Sequence, residues 1–313
     1  MLPHSLYPFF LILLLLLLLS PPTHQFQSIA FSTRHHHCLS SSQSPPAPPL
    51  PPPSPTSFLQ VLTDIDDTLK SSGGLKVGEI ALGGLDTQYQ RGVVYPGVFT
   101  FILELSLHAS SPLNPAVLTA RAEELKLALE LKPDSKICLK AGEVGRKRGV
   151  EGWGIGPVLY GSVVEWVNQV NKGFRKFKNF ESLLSQESLP QISYVYLGDT
   201  GEYDSQAGLQ MLRYYPEKVK GVFLHVVGES LRKREMVRDE DMIVNGRPVM
   251  HFITYCGAAV KAYENGLMGR DGVERVIESV YEDLREMGVG EEDGRWRDVE
   301  REEGVWRFRV MNN

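Results

Sequence analysis

Acidic residues are missing from the first 63 positions of this 313-residue chain, and Arg34 is the only Lys or Arg among them. A bilayer-spanning run is missing too. Phe9 to Leu19 is almost pure Leu, Ile and Phe, yet it falls short of the ~20 residues that cross a membrane comfortably. Cysteine is scarce: Cys38, Cys138 and Cys256 are odd in number and far apart. That spacing excludes a zinc-finger pattern and a disulfide framework, and leaves the redox compartment unmarked. A basic excess is absent as well. After position 63 there are 32 basic residues against 38 acidic ones, so nothing points to a nucleic-acid partner. No internal repeat is present.

What the N-terminal part does contain is directional. The leucine run at residues 1–20 has the length of a signal-peptide core or an anchor segment, which implies the secretory route or attachment to a membrane. Residues 20–48 are Ser-rich and acid-free, the composition of a plastid transit peptide, and that is the alternative address. His35, His36 and His37 could bind metal, but in a low-complexity tract they read as solvated. The proline-rich residues 44–55 form a stiff extended spacer, so residues 21–56 read as a Ser/His/Pro-rich linker and the folded part starts near Ser57.

From there the chain alternates apolar runs with helical patterns. Phe58 to Leu62, Pro115 to Leu118, Ile192 to Leu197 and Val219 to Val227 read as strands. Phe99 to His108 places Phe99, Ile102, Leu103 and Leu107 on one helix face. Ala122 to Leu131, Asn179 to Leu184, Ala258 to Tyr263 and Val273 to Met287 read as further helices. Residues 73–95, glycine-rich with short apolar stretches, suit a flap or small hairpin. Ile137-Cys138-Leu139 reads as a short strand, residues 142–161 as a loop, and residues 291–313 as a solvated polar tail. The expected fold is therefore α/β: a Rossmann-like parallel sheet with helices on both faces and small flap insertions, occupying residues 57–290. Right-handed crossovers would bring every strand's C-terminal end to one edge.

Chemistry-bearing residues gather at those ends. The first strand runs into Asp64-Ile65-Asp66-Asp67-Thr68, where three acids in four positions repel one another unless a cation or a shared proton relieves them. Extended backbone would send Asp64 and Asp66 the same way and turn Ile65 into the core. Asp67, out of that alternation, is assigned to capping the following turn or orienting Asp66. The second strand ends in Thr119. Lys176 and Lys178 open a helical stretch, and the third strand ends in Gly198-Asp199-Thr200-Gly201-Glu202-Tyr203-Asp204. The bland alternatives are helix caps for Asp66 and Asp199 and an ordinary strand-final hydroxyl for Thr119. His225 reads as a hydrogen-bonded core residue.

Acid pair, hydroxyl, lysine and Gly-Asp with a further Asp, in this order, resemble the four-part pattern of the haloacid dehalogenase superfamily. The run Asp64-Ile65-Asp66-Asp67-Thr68-Leu69-Lys70, then Tyr95-Pro96-Gly97-Val98, then Gly198 to Asp204 with Tyr215-Pro216-Glu217 after it, looks more narrowly like the catalytic domain of phosphatidate phosphatases of the actin-patch-protein type, over roughly residues 58–230. The resemblance implies a Mg²⁺-dependent phosphatase acting through an aspartyl-phosphate, with Asp64 as nucleophile and Asp66 as general acid and base. It implies metal ligation by Asp64, Asp66 (through its backbone carbonyl), Asp199 and Asp204. Thr68, Thr119 and Lys178 would meet the phosphate, with Lys176 the other lysine open to that role and Arg121 a further contact or a plain helix-start arginine. Two motifs depart from that family: Leu118-Thr119-Ala120-Arg121 stands for its Ser-Asn-Ser-Pro, and Thr200 for a serine. The first departure leaves substrate identity open. A phosphorylated lipid such as phosphatidate leads, because the apolar N-terminus and the basic clusters at Arg146-Lys147-Arg148 and Arg175-Lys176-Lys178 suit an anionic membrane surface. The alternatives are a soluble phosphomonoester, or a non-catalytic phosphate-binding or regulatory protein.

Overall fold

The computed structural model describes residues 58–312, apart from 75, 78–79, 82–83, 110, 123–130, 162–169, 188, 190, 202 and 228–240. The leucine run, the three histidines, the proline spacer and most of the helix expected over Ala122 to Leu131 lie outside the described residues. The chain divides into units Met1–Ser54 and Pro55–Asn313, and the fold below belongs to the second.

Seven strands make one sheet in the order β5-β4-β1-β6-β7-β9-β8. They are β1 (Phe58–Thr63), β4 (Ala116–Ala122), β5 (Val158–Gly161), β6 (Ile192–Asp199), β7 (Val219–His225), β8 (Met242–Val244) and β9 (Arg247–Phe252). All neighbours run parallel except β8, which pairs antiparallel with β9. The short β2 (Lys76–Val77) and β3 (Ile80–Ala81) pair antiparallel as a separate hairpin, in the segment expected to form a flap.

Both faces are covered, as near-continuous apolar strands require. Side chains alternate across the sheet. Val61, Val117, Val195 and Phe223 point into one core with helices α1 (Val98–Ala109), α5 (Tyr255–Glu264) and α6 (Arg270–Glu286). Their strand neighbours Leu62, Leu118, Tyr196 and Leu224 point into the other, against Phe177 and Phe180 of α3 (Val170–Ser185) and Ala207, Met211 and Leu212 of α4 (Asp204–Tyr214). The architecture is thus α/β with a mostly parallel sheet between helical layers.

Three expectations are corrected. Residues 137–139 belong to helix α2 (Lys136–Lys147), which Ser135 caps by accepting from the Cys138 N–H at 3.3 Å. Ile137, Ala141 and Val144 fall on its buried face, so the segment expected as a loop opens with a helix and closes with β5. Residues 291–313 are no loose tail. They form α7 (Gly294–Asn312), whose Trp296, Val299 and Trp306 are buried in the main core. Third, β8 and β9 went unread, although Asn245-Gly246 between them, at φ 49° and 74°, is a hairpin-turn pair.

Candidate active site

Register alone brings the chemistry together. Thr63 at the end of β1 pairs with Val117 on one side and Leu197 on the other. Two residues beyond those partners stand Thr119 and Asp199, and one beyond Thr63 stands Asp64. At roughly 3.3 Å per residue along parallel strands, the three reach almost the same level of the C-terminal edge, where open α/β sheets place their ligands. The Asp64 N–H donates to the Leu197 carbonyl at 3.2 Å, which continues the ladder to that point.

After Asp64 the extended chain stops. The N–H groups of Leu69 and Lys70 both donate to the Ile65 carbonyl, at 2.9 and 3.1 Å, and Asp67 takes a left-handed φ of 57°. This turn is closed on the Ile65 carbonyl and encloses Asp66. Asp66 lies half-buried and pairs with Lys70 at 3.5 Å, while Ile65 is fully buried as expected. Asp67 is buried, and its two carboxylate oxygens accept three backbone N–H groups, from Ser72, Leu85 and Asp86. Burial pushes its carboxyl above the ordinary range, and those hydrogen bonds pull the other way. The Thr68 carbonyl accepts from the Tyr255 hydroxyl at 2.7 Å, which ties the loop to the start of α5.

Asp199 closes β6, and α4 begins at Asp204. The Asp204 Oδ2 accepts from the Asp199 N–H at 3.2 Å. Gly198 has a steric reason to be glycine: a Cβ there would stand 2.7 Å from the Asp204 Cβ and closer still to its carboxylate. The result is a group of three buried carboxylates, Asp64, Asp199 and Asp204, each offering an oxygen within 4.8 Å of the others. The Asp66 carboxylate is not in that group.

A buried lysine reaches two of the three. Lys176 is fully buried, with its Nζ 3.1 Å from Asp64 Oδ2 and bonded to Asp204 Oδ1. Burial alone would lower its pKa, but Asp204 and Asp64, with Tyr196 and Asp199 beside them, hold it well above the ordinary lysine range. Lys178, the lysine expected in this place, is corrected. It is exposed, pairs with Glu181 at 2.6 Å and lies 5.4 Å over the Phe174 ring. Helix geometry explains the exchange. Gly173, Lys176, Phe177 and Phe180 are buried at helical spacing, and Lys178 stands about 200° around the helix from Lys176.

The balance of charge decides what the site can do. At an effective dielectric of about 20, carboxylate oxygens within 4.8 Å of one another repel by at least about 3 kcal/mol per pair, and Lys176 offsets part of that. Hard oxygen donors so close together fit a divalent cation of the Mg²⁺ type. Two buried hydroxyls add to this. Among the described residues Thr68 Oγ1 and the Tyr196 hydroxyl have no hydrogen-bond partner, an uncommon state for buried polar atoms. Tyr196 escaped the sequence reading. It lies on an ordinary apolar strand, and only its contact with this charge cluster marks it: burial first, then Asp204, raises its pKa while Lys176 opposes.

Other expected residues fall elsewhere. Thr119 is buried inside β4, which runs on to Ala122 rather than ending at that hydroxyl, and the Arg121 side chain lies outside the described residues. His225 is a core residue, with Nδ1 2.8 Å from the Asp67 carbonyl and Nε2 3.1 Å from that of Ile253. The cluster Arg146-Lys147-Arg148 belongs to the opposite edge of the sheet. The chain just after it is bonded to the entry of β4, where Trp153 Nε1 donates to the Leu113 carbonyl and the Gly156 N–H to that of Pro115. Among the described residues no helix is long and apolar enough to cross a membrane. No family model matches the chain, and neither a curated protein nor a solved structure matches it.

Proposed function

We propose that this chain is a Mg²⁺-dependent phosphatase of the haloacid-dehalogenase-like type, working through a phosphoryl group carried on Asp64. The observation that carries the reading is the cluster itself: Asp64, Asp199 and Asp204 gathered within 4.8 Å, with Lys176 set against two of them. Asp64, Asp199 and Asp204 would hold the ion, which when bound neutralises charge on the carboxylates and on an incoming phosphate.

The remaining work belongs to the protein's own groups. Lys176 fixes the Asp64 carboxylate in one orientation and offsets part of its charge. An oxygen of Asp64 attacks phosphorus in line, and the bond to the ester oxygen breaks as Asp66 gives that oxygen a proton. Asp66 is half-buried at the rim, so it meets both leaving group and water. It then takes a proton from the water that attacks the aspartyl-phosphate, releasing inorganic phosphate and restoring Asp64. Thr68 and Thr119 offer hydroxyl donors to the phosphate oxygens.

For substrate, a lipid phosphate such as phosphatidate is the reading that the motif resemblance favours. A soluble phosphomonoester is the second reading, and one observation favours it: Arg146 to Arg148 stand on the far edge and Lys178 is engaged by Glu181, which leaves four of the basic groups meant for a headgroup surface away from the site. The test is turnover by the full-length chain on phosphatidate micelles and on a panel of soluble phosphomonoesters, with Mg²⁺ and with chelator. Metal-dependent hydrolysis of phosphatidate is the expected result. Hydrolysis confined to the soluble esters rejects the lipid substrate, and no hydrolysis of either rejects the phosphatase.

A further inference from the structure

Asp67 stands next to the proposed acid/base and takes no part in the carboxylate cluster, yet three backbone N–H groups converge on its carboxylate. Its Oδ1 accepts the Ser72 N–H at 2.8 Å, and its Oδ2 accepts the N–H groups of Leu85 and Asp86 at 2.5 and 2.9 Å. Those donors are the two ends of one excursion of the chain, which leaves the loop at Ser72 and returns at Leu85. A single side chain therefore ties both ends together. Ser72, Asp67 and Asp86 are all buried.

The surroundings are shaped for this. Gly84, at φ 140°, lies so near that a Cβ would stand 2.6 Å from the Asp67 Cγ and 2.8 Å from the Ser72 Oγ. Asp86 is itself held, accepting from the Tyr95 hydroxyl at 2.8 Å and the Gln88 N–H at 2.9 Å. Tyr95 packs edge-on against His225 at 4.6 Å between ring centres, and His225 Nδ1 lies 2.8 Å from the Asp67 carbonyl. The bonds thus close a ring that begins and ends at Asp67. Leu85 is where the ring touches the cluster. A Cβ built on Gly201 would lie 3.3 Å from Leu85 Cδ1 and 3.0 Å from Asp199 Oδ1, and the Gly201 N–H donates to that same Asp199 oxygen.

We propose that Asp67 is a positioning residue: its carboxylate clamps Ser72 to Leu85 and Asp86, and through Leu85 and Gly201 the clamp sets where Asp199 holds its carboxylate. The clamp needs two acceptor oxygens, because its three donors arrive from both ends of the excursion. Asparagine offers one oxygen and turns an NH₂ toward an N–H on the other side. Groups that orient a ligating side chain change metal affinity about 10–100-fold when removed. The link to metal affinity rests on the proposed Mg²⁺ site; the clamp itself does not.

Two variants of the full-length chain separate the links. Amide hydrogen exchange, read by mass spectrometry without metal, reports the clamp. Mg²⁺ binding by calorimetry, with no substrate present, reports its effect on Asp199. Asp67→Asn is expected to speed exchange at Ser72, Leu85 and Asp86 by about tenfold or more relative to the rest of the sheet, and to weaken Mg²⁺ binding by about tenfold. Leu85→Ala keeps the clamp and breaks the contact, so it should leave the exchange of Ser72 and Asp86 unchanged and weaken Mg²⁺ several-fold. Unchanged exchange in Asp67→Asn, or faster exchange spread evenly over the whole chain, overturns the clamp. Local loosening with wild-type Mg²⁺ affinity in both variants overturns its link to Asp199. If Asp67→Asn does not fold, Gly84→Ala attacks the same contact from the facing side and carries the same expectations. A wild-type chain that takes up no Mg²⁺ sinks the proposed function and the link to Asp199, while the exchange measurement still decides the clamp.

Discussion

Two buried acidic sites in this protein look alike in a list of burials and differ in what they ask for. Glu104 on α1 is almost fully buried, and two arginines enclose it: Arg148 Nε at 2.7 Å and Arg275 Nε at 2.8 Å on Oε1, with Arg275 Nη2 at 2.8 Å on Oε2. Cation is in excess there and every carboxylate oxygen is engaged. At the strand ends three carboxylates, Asp64, Asp199 and Asp204, converge within 4.8 Å, and Lys176 is bonded to two of them. The lesson is that burial of charge is no sign of function by itself. The Glu104 triad fastens α1 to α2 and α6; the aspartate cluster brings three carboxylates to one point, and the proposed metal site rests on that convergence.

The comparison can be broken hardest at Asp64. Asp64→Asn removes the proposed nucleophile while keeping the side chain's size, so Mg²⁺-dependent turnover should drop by at least about 10³-fold. Near-normal turnover would mean that the cluster is merely structural, as at Glu104. Lys176 comes next. Lys176→Met leaves three buried carboxylates with no ammonium, and removing one partner of a buried pair costs about 3–5 kcal/mol. Denaturant melts in chelator should show that loss, and Mg²⁺ should restore more stability to the variant than to the wild type.

Glu302 sharpens the contrast with a third arrangement. Half-buried, it accepts from the Thr254 hydroxyl and from the Gly257 N–H at 3.1 Å, and desolvation of its carboxylate pushes its pKa up to about 7. The folded state therefore keeps a proton that the unfolded chain releases near its ordinary value of 4.5. Its favourable contribution is full below about 4.5 and is lost as pH rises through about 7, on the order of 3 kcal/mol in total. Glu302→Gln should flatten the fall in stability over that window in melts taken at successive pH values. The smallest effect belongs to Lys178. Lys178→Ala removes an exposed pair, so stability should move by less than about 0.5 kcal/mol and turnover by less than about twofold. A large loss there would restore the lysine that the sequence suggested and displace Lys176.

How much of this was legible in the sequence depends on whether one period dominated locally. β1, β4, β6 and β7 were legible because short apolar runs ended in turn residues, and that was enough to line up Asp64, Thr119 and Asp199. The exchange of Lys178 for Lys176 was readable in principle: Phe177 and Phe180 set the helix phase, and Lys176 shares their face. Charge density hid α7, whose Trp296, Val299, Glu303, Trp306 and Val310 recur at steps of three and four. The Ile137-Cys138-Leu139 triplet passed for a strand because the cap at Ser135 was not weighed. Contacts made across the fold, such as Tyr196 against the charge cluster and Asp67 against Leu85, leave no local trace at all.

The account turns on Asp64 carrying a phosphoryl group, and trapping that group is its most direct test. The full-length chain is mixed with Mg²⁺ and a phosphoester it turns over, quenched in acid within a turnover, digested and read by peptide mass spectrometry. The predicted result is a phosphoryl mass on the peptide bearing Asp64, absent in chelator and in Asp64→Asn. Phosphoryl on any other residue, or rapid hydrolysis with none on the protein, would contradict it.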